Sequence, residues 1–100
     1  DNRQVTALGG ANFGPSWTPD GKKIIFASNF REPRSENFEL YLVDASATMA
    51  GTDKLEQITF SPTFDGFPMF SPDGKRLLWA ANRHSSKAHE TNLFVADWKP

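Results

Sequence analysis

The sequence predicts an all-β chain of two four-stranded antiparallel meanders, and three observations carry that expectation. First, residues 1–47 reappear 53 positions later, without a gap, as residues 54–100, with 11 identities among the 47 overlaid pairs. Second, both copies contain the same turn, Thr18-Pro19-Asp20-Gly21 and Ser71-Pro72-Asp73-Gly74. Third, each turn is followed by a short apolar run, residues 24–28 and 77–81, bounded by turn residues and rich in branched or aromatic side chains. Such runs favour strand over helix. A repeat of this length belongs to an architecture in which no unit buries its apolar face alone.

In chain order, Gln4-Val5-Thr6 is a short strand whose counterpart, Gln57-Ile58-Thr59, is the fourth strand of the first repeat. A first strand ends at Trp17, and at Phe70 in the second copy. In the turn that follows, proline presets φ, aspartate tolerates the third position and glycine takes positive φ. Pro19, Asp20, Gly21, Pro72, Asp73 and Gly74 are therefore structural turn residues, each set closing a hairpin. The second strands, 24–28 and 77–81, place apolar side chains at consecutive positions, which implies cover on both faces. Leu40-Tyr41-Leu42-Val43 and Leu93-Phe94-Val95-Ala96 say the same of a third strand, reached through loops 29–39 and 82–92. Residues 45–53 are small and read as a surface loop.

A four-stranded meander covered on both faces is a propeller blade. Repeat 1 then spans about 1–53 and repeat 2 about 54–100. The N-terminal strand has no blade of its own and the C-terminal blade has no fourth strand, so the former is expected to complete the latter when a ring closes. Two repeats are fewer than the roughly three that stacked architectures need. The expectation is a chain that is part of a larger ring or of one completed by its own copies.

Eleven basic and twelve acidic residues, interspersed, give a formal charge of −1, with 38% hydrophobic and 13% aromatic residues. This is the composition of a globular domain with a solvated surface, without a basic patch for nucleic acid. No apolar run approaches the ~18 residues of a membrane span. The absence of cysteine excludes disulfides and thiolate metal sites. Asp1 is not an initiator residue, which implies a processed or excised chain.

Catalytic chemistry is not expected. Ser85 and Ser86 follow His84, but no Gly-x-Ser-x-Gly elbow exists to present a nucleophile. His84, His89 and Glu90 have neither helical nor zinc-site spacing, and Asp53 and Asp65-Gly66 lack the alternating oxygens of a calcium loop. No metal and no cofactor is expected. Trp17, Phe26, Phe70 and Trp79 match through the repeat and read as core packing. The positions at which the copies disagree are those the scaffold does not dictate. Asn12-Phe13-Gly14 stands opposite Asp65-Gly66-Phe67, and Phe30-Arg31-Glu32 opposite Arg83-His84-Ser85. Asn12, Phe13, Arg31, Asp65, Phe67, Arg83 and His84 are accordingly the candidate binding residues, the first set lining one mouth of a central channel.

The order Phe70-Ser71-Pro72-Asp73-Gly74-Lys75-Arg76, a Leu77-Leu78-Trp79 strand, Asn82-Arg83, a Leu93-Phe94-Val95 strand and a Gln-Ile-Thr strand resembles the repeat of TolB-type β-propellers. The resemblance covers both repeats. It implies a six-bladed ring, which three copies of two blades would make, a periplasmic or secreted location, and a non-enzymatic scaffold that binds a protein partner or its own copies. Related repeats form gating propellers of some serine peptidases, so an accessory propeller of a peptidase or amidohydrolase is the alternative, with a small-ligand or glycan-binding propeller as a third.

Overall fold

The two Pro-Asp-Gly turns fold as their chemistry dictates. Gly21 and Gly74 both sit at φ 73°, and each aspartate accepts from the residue two positions on, Lys22 N at 2.9 Å and Lys75 N at 3.0 Å. Thr18 Oγ1 and Ser71 Oγ also donate to Asp20 and Asp73, at 2.7 and 2.6 Å. Lysine backbone and threonine hydroxyl together hold the Asp20 carboxyl below its ordinary pKa, and the Ser71 hydroxyl with the Lys75 amide does the same for Asp73.

The computed structural model describes residues 2–83 and 90–99. Seven strands follow in order: β1 (Asn12–Trp17), β2 (Lys23–Ser28), β3 (Glu39–Asp44), β4 (Glu56–Gln57), β5 (Asp65–Phe70), β6 (Arg76–Ala81) and β7 (Asn92–Asp97). They build one sheet of order β1-β2-β3-β4 and one of order β5-β6-β7, antiparallel throughout. The first strands β1 and β5 are edges and touch each other. Pro15 and Pro68 stand within them, which edge strands and bulges alone tolerate. Both strands are bulged there: register shifts between Phe13 and Ser16 in β1, and between Gly66 and Met69 in β5.

The main core lies between the sheets. Ile25, Ala27, Leu40 and Leu42 of the first face Leu77, Trp79 and Ala81 of the second, with Ile58, Phe70, Phe94 and Trp98 around them. On the other face of the first sheet, Phe26, Tyr41 and Val43 are covered by Ala50, Val5, Leu8 and Leu55. The consecutive apolar residues of β2 and β3 are thus buried on both sides, as their pattern predicts. The outward face of the second sheet is not: Leu78, Leu93, Val95 and Met69 meet water.

The second sheet has three strands, as expected of a C-terminal blade without a fourth strand of its own. Three expectations are corrected. Residues 4–7 pair not with β7 but with Met49 and Ala50, through Met49 N to Gln4 O, Ala50 N to Val5 O and Ala7 N to Ala50 O. Residues 45–53 are not merely a surface loop, because that pairing buries Ala50 against Phe26 and Tyr41. A short 3-10 turn, Thr52–Lys54, follows it. Trp17 is no core residue at 63% exposure. Its counterpart Phe70 is covered by Trp98, ring centroids 4.9 Å apart, where the first repeat offers only Ala45.

Candidate functional site

Where β1 and β5 begin, the two bulges bring the copies' divergent residues together. Gly14 has φ 64°, and a Cβ there would lie 3.6 Å from the Phe67 backbone. Phe67, its counterpart, holds φ 55° although it is not glycine. A bulky side chain in the left-handed region is an outlier that costs about 1–2 kcal/mol. The ring is nonetheless 60% exposed. Its inner edge leans on Phe13 at 5.4 Å and Phe64 at 6.0 Å, and Phe38 completes the group. A Cβ at Gly66 would come within 2.5 Å of the Phe64 ring, which could not keep its place. The second repeat thereby trades the Ala11/Phe13 pair of the first for Phe64/Gly66, the ring moving two residues along the strand.

Behind this aromatic group lies a buried polar cluster. Asp65 is fully buried and accepts from Trp79 Nε1 at 3.0 Å, Arg83 Nη2 at 2.8 Å and the Ser61 hydroxyl. Glu39 heads β3 beside it, accepting from Thr59 Oγ1 at 2.7 Å and Ser61 N at 2.9 Å. Thr59 Oγ1 in turn accepts from Leu40 N at 2.9 Å, tying the end of the first sheet to the start of the second. Burial, aided by the neighbouring Asp65 carboxylate, pushes the Glu39 carboxyl up to about 7. The proton on Glu39 is favoured because its charged form would be both desolvated and next to the Asp65 carboxylate. The Arg83 guanidinium also stacks over Trp79 and Phe94, at 5.5 and 5.7 Å. Its planar fork is thereby committed to the fold.

Of the expected binding residues, Phe13, Asp65, Phe67 and Arg83 come together, but in two roles. Phe67 is presented outward against the half-buried Phe13, which packs on the core, whereas Asp65 and Arg83 lock the interior. Asn12 lies across β1 in a cleft of about 300 Å³ lined by Val5, Pro15, Ile24 and Phe26. Arg31 stands apart, over the Phe30 ring at 5.2 Å and beside Tyr41, whose hydroxyl burial pushes up in pKa. His84, like Ser85, Ser86 and His89, lies outside the described residues. Sequence reasoning missed Glu39 and Phe64. The signals were a carboxylate between Phe38 and Leu40 at the head of an apolar strand, and an aromatic at 64 paired with glycine at 66. Among the described residues, no three acidic or histidine side chains converge as a metal site, and no helix is long and apolar enough to cross a membrane.

No protein-family model matches the chain. Dipeptidyl-peptidase 5 of Porphyromonas gingivalis is 32% identical over 87 residues, which is 82% of this chain and 12% of that protein. The structure of a putative TolB from Agrobacterium tumefaciens matches with a TM-score of 0.70 and 23% identity over 93% of this chain and 32% of that one. The chain spans only a small part of either protein. With two antiparallel sheets whose first strands lie side by side, it has the fold of two consecutive blades of a TolB-like β-propeller.

Proposed function

We propose that this blade pair is a non-enzymatic recognition module of a bacterial envelope or secreted protein, binding a protein partner at the mouth formed by Phe67, Phe13 and the β1 and β5 bulges. The observation that carries the reading is Phe67: an exposed aromatic held in a backbone conformation that the scaffold's own first copy gives to glycine. Strain at an exposed residue is retained where something other than stability selects it. Aromatic side chains presented at a rigid junction are the usual anchors of interfaces. Asp65 and Arg83 contribute by fixing the strand that carries Phe67. The blades act within a ring completed by further blades, because the outward face of the second sheet is apolar.

Panning a displayed random-peptide library against the immobilised chain tests this. Peptides enriched on the wild-type chain and lost on Phe67→Gly are expected; equal enrichment on both overturns the reading. A second reading, an accessory propeller of a peptidase, is favoured by the likeness to dipeptidyl-peptidase 5. Under either reading the chain alone leaves chromogenic dipeptide anilides uncleaved, and turnover that co-purifies with it would contradict both. The two separate on the parent protein: a hydrolase domain joined to these blades favours the second.

A further inference from the structure

We propose that Glu39 and Asp65 form a proton-dependent latch between the two blades, which holds the chain crossing from β4 to β5 against the head of β3 in acid and releases it as pH rises to neutral. The latch goes beyond the recognition reading and does not rest on it. Residues 58–64 make the crossing, from the last strand of the first blade to the first strand of the second. Ile58 N extends the β3-β4 ladder to Leu40 O at 2.7 Å, and Asp65 N donates to Phe38 O at 2.8 Å where the crossing ends. Between these points the fastening runs through Glu39. Thr59 Oγ1 donates to its Oε1 at 2.7 Å and Ser61 N to its Oε2 at 2.9 Å, while Leu40 N donates to Thr59 Oγ1 at 2.9 Å and so joins the same chain of bonds.

A fastening that ends on a carboxyl is only as firm as the proton on that carboxyl allows. Asp65, from β5, accepts from Trp79 Nε1, Arg83 Nη2 and the Ser61 hydroxyl, and the Glu39 side chain meets it directly. A protonated Glu39 donates to Asp65 while its oxygens still accept from Thr59 and Ser61. An ionised Glu39 sets a second buried carboxylate against the first. Among the described residues no lysine or arginine pairs with Glu39: Arg83 is bonded to Asp65, Arg31 serves the Tyr41 hydroxyl, and β2 places the neutral Ser28 opposite. The charge is relieved only by water, and water reaches it by opening the crossing. Because burial moves the Glu39 carboxyl from 4.5 to about 7, the latch is firmest below the first value and loosens up to the second.

The carboxyl pair belongs to this seam and not to the repeat. The counterparts of Glu39 and Asp65 in the other copy are Asn92 and Asn12, whereas Thr59 has Thr6. The chain thus carries its own example of the same positions filled by side chains that do not titrate. Two acids in their place add nothing that the repeat requires, and they add a proton. The device also reaches the presented ring, since Phe67 stands two residues beyond Asp65 on β5.

Amide hydrogen exchange of the full chain, followed residue by residue by NMR, is the test. Leu40 and Tyr41 are neighbours, but Ala45 N bonds Lys22 O and ladder bonding alternates, so the Tyr41 amide enters the β2-β3 ladder while Leu40 N faces the crossing. Protection at Leu40, Ser61 and Asp65 should fall by about tenfold or more from pH 5 to pH 7 and by less than about threefold from pH 7 to pH 8, the course for one proton released between 4.5 and about 7. At pH 7 Leu40 should exchange about tenfold or more faster than Tyr41, because the seam opens while the sheet stays closed. Protection in the crossing that is flat or rises with pH, or a Leu40 amide as protected as that of Tyr41, overturns the proposal. Glu39→Gln should level the pH dependence at Leu40 and Asp65. A dependence that survives this substitution belongs to another group, His84 and His89 included, and also overturns it. A direct reading needs no variant at Glu39: with isotope-labelled glutamate, its carboxyl carbon should titrate near 7 in the wild type and at lower pH in Asp65→Asn. A wild-type midpoint near 4.5, or one that Asp65→Asn leaves unmoved, removes the shared proton and the latch with it.

Discussion

Leu40 and Leu93 occupy the same position in the two repeats, in strands of the same length, paired in the same register to β2 and β6. Leu40 is wholly buried and Leu93 is 72% exposed. The strand does not decide burial; the neighbouring sheet does. A blade's apolar face is therefore a demand that its sequence makes and only a second sheet satisfies. Truncation breaks the comparison most sharply. Leu40→Ala should cost about 2–5 kcal/mol, the range for deleting a buried leucine and leaving a cavity. Leu93→Ala in the monomer should stay within about 0.5 kcal/mol. Urea denaturation of both at low protein concentration checks this, and equal losses would mean that the second face is covered after all.

The same contrast marks how far the chain could be read from its sequence. Repeat register, both hairpins and the six long strands were legible, because turn chemistry and consecutive apolar residues act locally. What was not legible depends on partners distant in sequence. Trp17 and Phe70 look alike until Trp98 covers one and nothing covers the other. Ala50 looks like loop until its amide and carbonyl pair with Val5 and Ala7 and place it in the groove over Phe26. At the candidate site, divergence between copies pointed to Asp65, Phe67 and Arg83 but could not separate an interior lock from a presented ring. That distinction required the positions of Trp79 Nε1 and Ser61, 14 and 4 residues from Asp65.

Asp65 and Asn12 form the next pair to perturb. Asp65→Asn removes the charge that Arg83 and Trp79 Nε1 address and should cost about 1–3 kcal/mol, as for hydrogen bonds to a buried charged group. Asn12→Asp makes the reciprocal change at an exposed position and should stay within about 0.5 kcal/mol. Tryptophan fluorescence during unfolding reports both, with the Asp65 variant altered already in the native state because the acceptor of Trp79 Nε1 loses its charge.

A pH titration sharpens the contrast further, since Glu39 has the neutral Asn92 as its counterpart in the second repeat. Its carboxyl sits near 7 when folded against an ordinary 4.5, so the folded state binds the extra proton between those values. Its contribution is fully present below about 4.5 and is lost as pH rises through about 7. Below the ordinary aspartate value the slope reverses, because the Ser46 hydroxyl holds Asp44, as the turns hold Asp20 and Asp73, below 3.8. The denaturation midpoint should therefore fall between pH 5 and pH 7 in the wild type and stay level in Glu39→Gln. A wild-type midpoint that rises across that interval would mean that Glu39 is ionised in the fold.

A modest change in stability is expected at Phe67, the position that bears most directly on the proposed recognition. Phe67→Gly releases the left-handed strain of about 1–2 kcal/mol. It forfeits two tilted aromatic contacts worth about 0.5–1.5 kcal/mol each, and glycine adds its own entropy cost of about 0.5–1 kcal/mol. The losses exceed the strain released by about 0.5–2 kcal/mol, so the melting temperature should fall by several degrees. Gly14→Ala has no such offset: it imposes the strain of φ 64° and gains only ordinary contact with Phe67, so it should destabilise by about 1 kcal/mol or more. Two equivalent bulges thus lose stability for different reasons, one because its ring gives up contacts that outweigh released strain and the other because a side chain there adds strain. Under the recognition reading proposed above, a ring that the fold can lose at modest cost, on a backbone that disfavours it, is retained for what it touches outside the chain; a loss of several kcal/mol in Phe67→Gly would instead assign the ring to the core.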